Sequence, residues 1–294
     1  MPVIQYIEPV FRPPSEWKSL ILQVTNGCSW NRCSFCDMYT QPQKKFRAQK
    51  VDKIEADILA AAQSSQPISR VFLADGDAMS LPFARLKAIC QLINTHLPSV
   101  TRISSYCLPR NLNNKTVSEL TELREMGLSL MYVGCESGDN EVLERIAKGE
   151  TYQSSLTALQ KIRDAGMKSS VMILMGLGGE QLSQQHARHS ALLMNEAQPD
   201  YLSTLVVTLP LGTEKMDAAF DGQFLLPDQR GLLTEMHTLL DGLTLNKTIF
   251  RSDHASNYLV LKGVLGKDKP TLLAQVEQAL QGMVPLRQEW QRGL

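Results

Sequence analysis

Apolar residues along this chain follow two alternating periods. Short apolar runs fall at 19–24, 71–74, 102–106, 129–133, 171–175 and 201–208. Between them, apolar positions recur every three or four residues. Ile54, Ile58, Leu59 and Ala62 form one such stripe, and Phe83, Leu86, Ile89, Cys90 and Ile93 form the next. Further stretches with helical signals lie at about 116–127, 140–148, 153–165 and 183–197. Short runs bounded by turn residues predict strands, and the longer stripes predict helices. Asp52 with Glu55, and Thr116 with Glu119, have the spacing of helix-starting capping boxes. Gly127 stands where a helix would end in the left-handed conformation.

Six strands alternating with helices predict an α/β fold with a parallel sheet and helices outside it. The run is two units short of an eight-fold barrel. Residues 1–17 carry Pro2, Pro9, Pro13 and Pro14, which block helix and pairing alike, so they read as an irregular lead-in. The α/β core spans 18–210. Beyond Pro210 the pattern loosens, and 211–294 reads as a mostly helical C-terminal extension. It has helices near 229–240 and 271–280 and a short strand at 247–250.

Composition narrows the function. Lys plus Arg and Asp plus Glu both number 30 in 294 residues, so no global field draws in nucleic acid or an anionic membrane. No stretch approaches the roughly 20 apolar residues that span a bilayer. The N-terminus has no basic region followed by an apolar one, so it does not read as a signal peptide. Three of the six cysteines, Cys90, Cys107 and Cys135, are scattered singly among apolar residues, which suits a reducing compartment. The expected location is cytoplasmic.

The other three cysteines stand together. Cys28, Cys33 and Cys36 fall within nine residues of loop-like sequence, just after the first predicted strand. Structural zinc closes its shell with four ligands, and no second Cys or His pair stands nearby. A four-iron cluster normally takes four thiolates, so three leave one iron open to a small molecule. A zinc knuckle or inert cysteines remain the alternatives.

This loop resembles that of the radical S-adenosylmethionine (radical SAM) enzymes, which hold a [4Fe-4S] cluster by Cys-x3-Cys-x2-Cys with an aromatic before the last cysteine. Phe35 and the Cys33/Cys36 pair match. The first gap is one residue longer, giving Cys-x4-Cys-x2-Cys, and the loop must bulge to bring Cys28 to the cluster. The resemblance implies a partial (β/α)6 TIM-type barrel and an oxygen-sensitive iron–sulfur enzyme. Its cofactors are the cluster and S-adenosylmethionine, and its partners include a one-electron donor such as flavodoxin or ferredoxin.

In a parallel barrel, function sits at the carboxyl ends of the strands. Asp75, Gly76 and Asp77 follow the second strand and resemble the segment that holds the methionyl ammonium. A capped turn is the plain alternative. Gly134 to Gly149 resembles the stretch carried by methylthiotransferases and oxygen-independent coproporphyrinogen dehydrogenases, a branch that includes Elongator-type enzymes. The resemblance implies that Glu136 and Ser137 contact the cofactor and that Lys148 pairs with its carboxylate. Without the resemblance, Lys148 is a solvated lysine at a helix end. Gly176, Gly178 and Glu180 resemble the adenine-binding segment, where glycines let a backbone approach a flat ligand. Tyr106 could line the pocket, though the carboxylate of haem-pathway relatives is missing there.

The segment 250–258 is dense in donors, and Arg251, His254 and Asn257 are candidate substrate contacts over the barrel mouth. An ordinary capped turn is the alternative. The function expected is reductive cleavage of S-adenosylmethionine and hydrogen abstraction from a small-molecule or tetrapyrrole-like substrate. Two alternatives stand beside it, a radical SAM enzyme that modifies RNA and a non-catalytic iron–sulfur carrier.

Overall fold

The computed structural model describes residues 4–63 and 66–292. In chain order the elements are β1 (Leu20–Gln23), β2 (Thr25–Asn26), β3 (Arg47–Ala48), α1 (Val51–Ala62), β4 (Arg70–Ala74), α2 (Phe83–His96), β5 (Arg102–Cys107), α3 (Val117–Glu125) and β6 (Leu128–Glu136). There follow α4 (Asn140–Arg145), α5 (Tyr152–Asp164), β7 (Lys168–Met175), α6 (Gly179–Ala197), β8 (Tyr201–Val206), α7 (Glu214–Ala219), α8 (Gln229–Gly242), β9 (Ile249–Ser252), β10 (Leu261–Val264) and α9 (Lys269–Leu280). The six predicted strands are β1, β4, β5, β6, β7 and β8, and the helices expected after the first five of them are present.

The chain divides into two compact units. The first draws on residues 1–31, 38–133 and 160–169. Its strands run β1-β4-β5-β6, all parallel, with Leu20 beside Val71, Val71 beside Ile103 and Ile103 beside Leu128. Val71, Phe72, Leu73 and Ala74 are all buried, so β4 is covered on both faces, as a parallel strand should be. Phe72 packs edge-on to Tyr106, with ring centroids 5.1 Å apart. The buried Glu16 accepts from the Tyr132 hydroxyl at 2.6 Å and from Arg102 at 2.7 Å, which turns an irregular lead-in into a fixed one. Thr116 and Glu119 form the expected capping box. Asp52 does not start α1: Lys50 holds the N-cap position without a side-chain cap, and Asp52 sits in the first turn, where the helix dipole favours it.

The second unit draws on 32–37, 134–159 and 170–294. Its strands run β7-β8-β9-β10, parallel except for β10, which pairs antiparallel with β9. The short strand expected near 247–250 is β9, and β10 joins it, so the sequence beyond Pro210 supplies two strands to this sheet. On β8, Leu202, Thr204 and Val206 are buried while Tyr201, Ser203 and Leu205 are half-exposed, so one face is covered and the other open. α6 packs on α8, and α8 on α9. A separate apolar cluster joins Val142, Leu143 and Ile146 to Leu177, Val207, Met216, Phe220 and Phe224.

One buried polar seam crosses this unit. Glu235, fully buried on α8, accepts from the Gly176 N–H at 2.7 Å and from the Ser183 hydroxyl at 2.5 Å. His186, also fully buried, lies 3.7 Å from Glu235 and places Nδ1 2.8 Å from the Ser137 hydroxyl. Burial pushes the Glu235 carboxyl up to about 7 and the His186 imidazole down to about 4. Between the ordinary carboxyl range and about pH 7, the folded chain keeps a proton on Glu235 that the unfolded chain has lost. Stability from this group is therefore full at low pH and falls as pH rises through that window. His186 acts in the opposite direction below its ordinary value, in wild type and variant alike. Urea unfolding at pH 5 and pH 8 should show Glu235→Gln gaining on wild type by about 1–3 kcal/mol between the two. An equal difference at both pH values would contradict the assignment.

Candidate active site

Cys28, Cys33 and Cys36 are half-exposed, whereas Cys90, Cys107 and Cys135 are buried. Burial pushes the Cys90 and Cys135 thiols up to about 12, which keeps them protonated and inert. The accessible thiols are thus the three of the loop. Among the described residues, no group of three or more His, Cys, Asp or Glu side chains is gathered to hold a single metal ion. A four-iron cluster asks for a different arrangement, with each thiolate on its own iron. Three accessible thiols in one loop fit that donor set.

In the first unit, the Asn31 N–H points at Cys28 Sγ, 3.5 Å away. Asp77 is wholly buried; its Oδ2 accepts from the hydroxyl of Ser29, the residue after Cys28. Its Oδ1 has no hydrogen-bond partner among the described residues. Burial raises the Asp77 carboxyl above the usual range, and contacts with Ser29 and Asn111 only partly offset this. A buried carboxylate oxygen without a partner is costly, and an ammonium group would satisfy it. That atom fits the amino group of S-adenosylmethionine.

Asp75 behaves differently from its expected role. One of its oxygens pairs with the Lys44 ammonium and the other accepts from the Tyr39 hydroxyl at 3.0 Å. Both are spent inside the protein, so Asp75 is not a free anion for the cofactor. Gly76 is pressed between the Gly27 carbonyl and the Tyr39 ring, where a Cβ would come within 2.4 Å of that oxygen.

In the second unit, Cys33 and Cys36 close a turn through the Cys36 N–H to the Cys33 carbonyl at 3.2 Å. The Ser34 N–H ties this turn to the Ile146 carbonyl at 2.9 Å, just past α4. Phe35 packs against the apolar cluster. It therefore anchors the loop through its ring. The Lys148 ammonium lies 5.9 Å from that ring centroid and donates to Glu136 at 2.9 Å, both side chains nearly inaccessible. Burial alone would lower Lys148, but Glu136 and Cys33 outweigh it and hold the ammonium well above the usual lysine range. Glu136 takes a positive φ of 64°, and a Cβ on Gly134 would meet its carboxylate at 2.2 Å. Only glycine at 134 leaves room for this pair.

Other expected contacts are committed elsewhere. Ser137 is buried between His186 and the Asp139 N–H. The glycines after β7 serve packing: a Cβ on Gly176 would meet Leu226 at 2.8 Å, and one on Gly179 would meet the Leu225 carbonyl at 3.2 Å. Gly178 crowds the backbone of Leu182, and the Glu180 N–H bonds to the Leu225 carbonyl. Asn257 spends both ends of its amide on β8, accepting from Val206 N–H at 3.1 Å and donating to the Thr204 carbonyl at 2.8 Å. That makes it a latch for the strand rather than a substrate contact. His254 pairs with the Ser256 hydroxyl at 2.9 Å. Arg251 is exposed and donates to the carbonyl of its neighbour Phe250 at 3.1 Å. Tyr106 packs edge-on to Phe72 in the first unit. Lys44, Tyr39 and Glu235 were missed by sequence reading. Of these only Glu235 gave a signal, as an acid inside the apolar stripe of α8.

Residues 22–189, more than half of the chain, match the Radical SAM superfamily. The heme chaperone HemW of Bacillus subtilis is 24% identical over 183 residues, covering 59% of this chain and 47% of that protein. The 4'-phospho-dehydrooxetanocin synthase of Priestia megaterium is 24% identical over 172 residues, covering 53% and 23%. The chain thus spans less than half the length of either relative. Coproporphyrinogen III oxidase (HemN) of Escherichia coli shares the fold with a TM-score of 0.52 at 16% identity, over 76% of this chain and 52% of that one. The cobalamin-dependent S-adenosylmethionine radical enzyme OxsB matches over 93% of this chain and 37% of its own, with a TM-score of 0.52 at 15% identity. These likenesses show the α/β fold of radical SAM enzymes. The chain belongs to the radical SAM superfamily, whose cofactors are a [4Fe-4S] cluster and S-adenosylmethionine.

Proposed function

We propose that this chain cleaves S-adenosylmethionine reductively and abstracts hydrogen from a small-molecule substrate carrying anionic groups. Cys28, Cys33 and Cys36 hold the cluster. Asp77, in the first unit, receives the amino group of S-adenosylmethionine; in the second unit, the Glu136–Lys148 pair sets the charge around Cys33. The bound cofactors supply one-electron cleavage of the sulfur–carbon bond and a carbon radical. The chain's own residues bind, orient and exclude water. The observation that carries this reading is the buried Asp77 oxygen without a partner, one residue's contact away from Cys28. A reducing, cytoplasmic setting and a flavodoxin- or ferredoxin-type electron donor belong to the same proposal. Among the described residues, no helix is long and apolar enough to cross a membrane.

The non-catalytic reading has one observation in its favour, the similarity to a protein named as a heme chaperone. Cleavage of S-adenosylmethionine by the reconstituted, reduced protein separates the two. Asp77→Asn should keep the iron content and weaken S-adenosylmethionine binding by about ten- to a hundred-fold, the loss of one charge-assisted hydrogen bond. Unchanged affinity would remove Asp77 from the site.

Arg251 stands on the open face of the second unit's sheet, in register with Ser203 and, through it, with Met172. Its planar guanidinium suits a carboxylate or phosphate. Mass spectrometry of ligands released from purified protein should find an anionic metabolite with wild type that is lost with Arg251→Ala. Equal recovery from both would remove Arg251 from substrate binding.

A further inference from the structure

Lys44 is 1% exposed, among the largest fully buried side chains of the molecule, in a loop that has little secondary structure of its own. A buried ammonium is expensive unless it is paired and hydrogen-bonded. Here it pairs with Asp75, itself wholly buried, and donates to the Ile7 carbonyl at 2.9 Å. Asp75 in turn accepts from the Tyr39 hydroxyl at 3.0 Å. These contacts bolt the far side of the cysteine loop to the end of β4.

The near side is joined to the same point. The Asp75 N–H bonds to the Thr25 carbonyl at 3.1 Å, and the Thr25 hydroxyl donates to the Asp75 carbonyl at 2.8 Å. The Asn26 amide crosses the loop base to the carbonyls of Gln43 and Lys45, at 2.7 and 3.0 Å. A Cβ on Gly27 would fall 2.0 Å from the Lys44 carbonyl, so the two sides are in direct contact just before Cys28. Further along, the Asn31 amide donates to the Tyr39 carbonyl at 3.1 Å, while the Asn31 N–H points at Cys28 Sγ. A continuous path therefore links Lys44, Asp75, Tyr39 and Asn31 to Cys28.

We propose that Lys44 is a positioning residue for the cluster: its buried ammonium, through Asp75 and Tyr39, holds the segment carrying Cys28 against the end of β4. It also neutralises Asp75, so that no bare carboxylate is left beneath the Tyr39 hydroxyl. The inference rests on Cys28 being a cluster ligand, and Cys28→Ala serves as the control for that reading.

The test follows loss of the reconstituted cluster to an iron chelator by its visible absorbance, under anaerobic conditions. Far-UV circular dichroism checks that each protein is folded. Lys44→Met should lose its cluster about ten- to a hundred-fold faster than wild type, as is typical when a group supporting a metal ligand is removed. Lys44→Met combined with Asp75→Asn removes both charges and should recover most of that loss, because a neutral pair leaves no buried charge uncompensated. A lysine acting only through its packing would not show this charge-specific rescue. If Lys44→Met fails to fold, Tyr39→Phe deletes one hydroxyl and should still speed cluster loss by about two- to ten-fold. Wild-type rates in Lys44→Met, or in Tyr39→Phe where it replaces it, overturn the proposal while Cys28→Ala is deficient. Full iron retention in Cys28→Ala instead overturns the ligand assignment beneath it.

Discussion

A cofactor held by three thiolates from nine residues of loop needs that loop to be stiff. The loop of this chain has no α-helix, only a single 3-10 turn at Pro42–Lys44 and a two-residue strand pair at its base. Its stiffness depends on the buried Lys44–Asp75 pair. In a low-dielectric interior, neither charge can leave without stranding the other. The pair therefore resists opening far more than an exposed ion pair would. Everything nearer the chemistry in the first unit, including Ser29, Asp77 and Asn31, hangs from the frame that this pair closes.

The polar residues after the strands divide into two kinds. Some turn inward: Asp75 to Lys44, Ser137 to His186, and Asn257 to the backbone of β8. Gly176 and Gly179 likewise make room for Leu226 and Leu225. These residues build the ends of the strands. Others keep a reason to meet a ligand, chiefly the unpartnered oxygen of Asp77 and the thiols of the loop. The Glu136–Lys148 pair stands between the two kinds, satisfied internally yet electrostatically coupled to Cys33. Within Asp75-Gly76-Asp77, both Asp75 oxygens are paired internally while one Asp77 oxygen is not.

Much of this was legible in the sequence because it follows from periodicity. Buried parallel strands and amphipathic helices write their patterns plainly, and so does a cluster of cysteines. The capping box at Thr116 was also readable, since both partners are local. Long-range charge pairing was not. Nothing in Lys44-Lys45 distinguishes a buried lysine from a solvated one, because the partner lies at the end of another strand. The short strand β10 and the helix α7 escaped for a related reason, being too brief for a period to emerge. Asp52 misled as a cap because an acid in the first turn of a helix looks the same in sequence as one at the position before it.

The central claim is that the loop offers three thiolates and no more, leaving one iron for S-adenosylmethionine. Electron paramagnetic resonance of the anaerobically reconstituted and reduced protein tests it directly, with spectra recorded before and after adding S-adenosylmethionine. The account predicts a single signal from a reduced [4Fe-4S] cluster whose g values shift on addition, because the ligand binds the cluster itself. A signal unchanged by S-adenosylmethionine, or a protein that takes up zinc and no cluster, would contradict it.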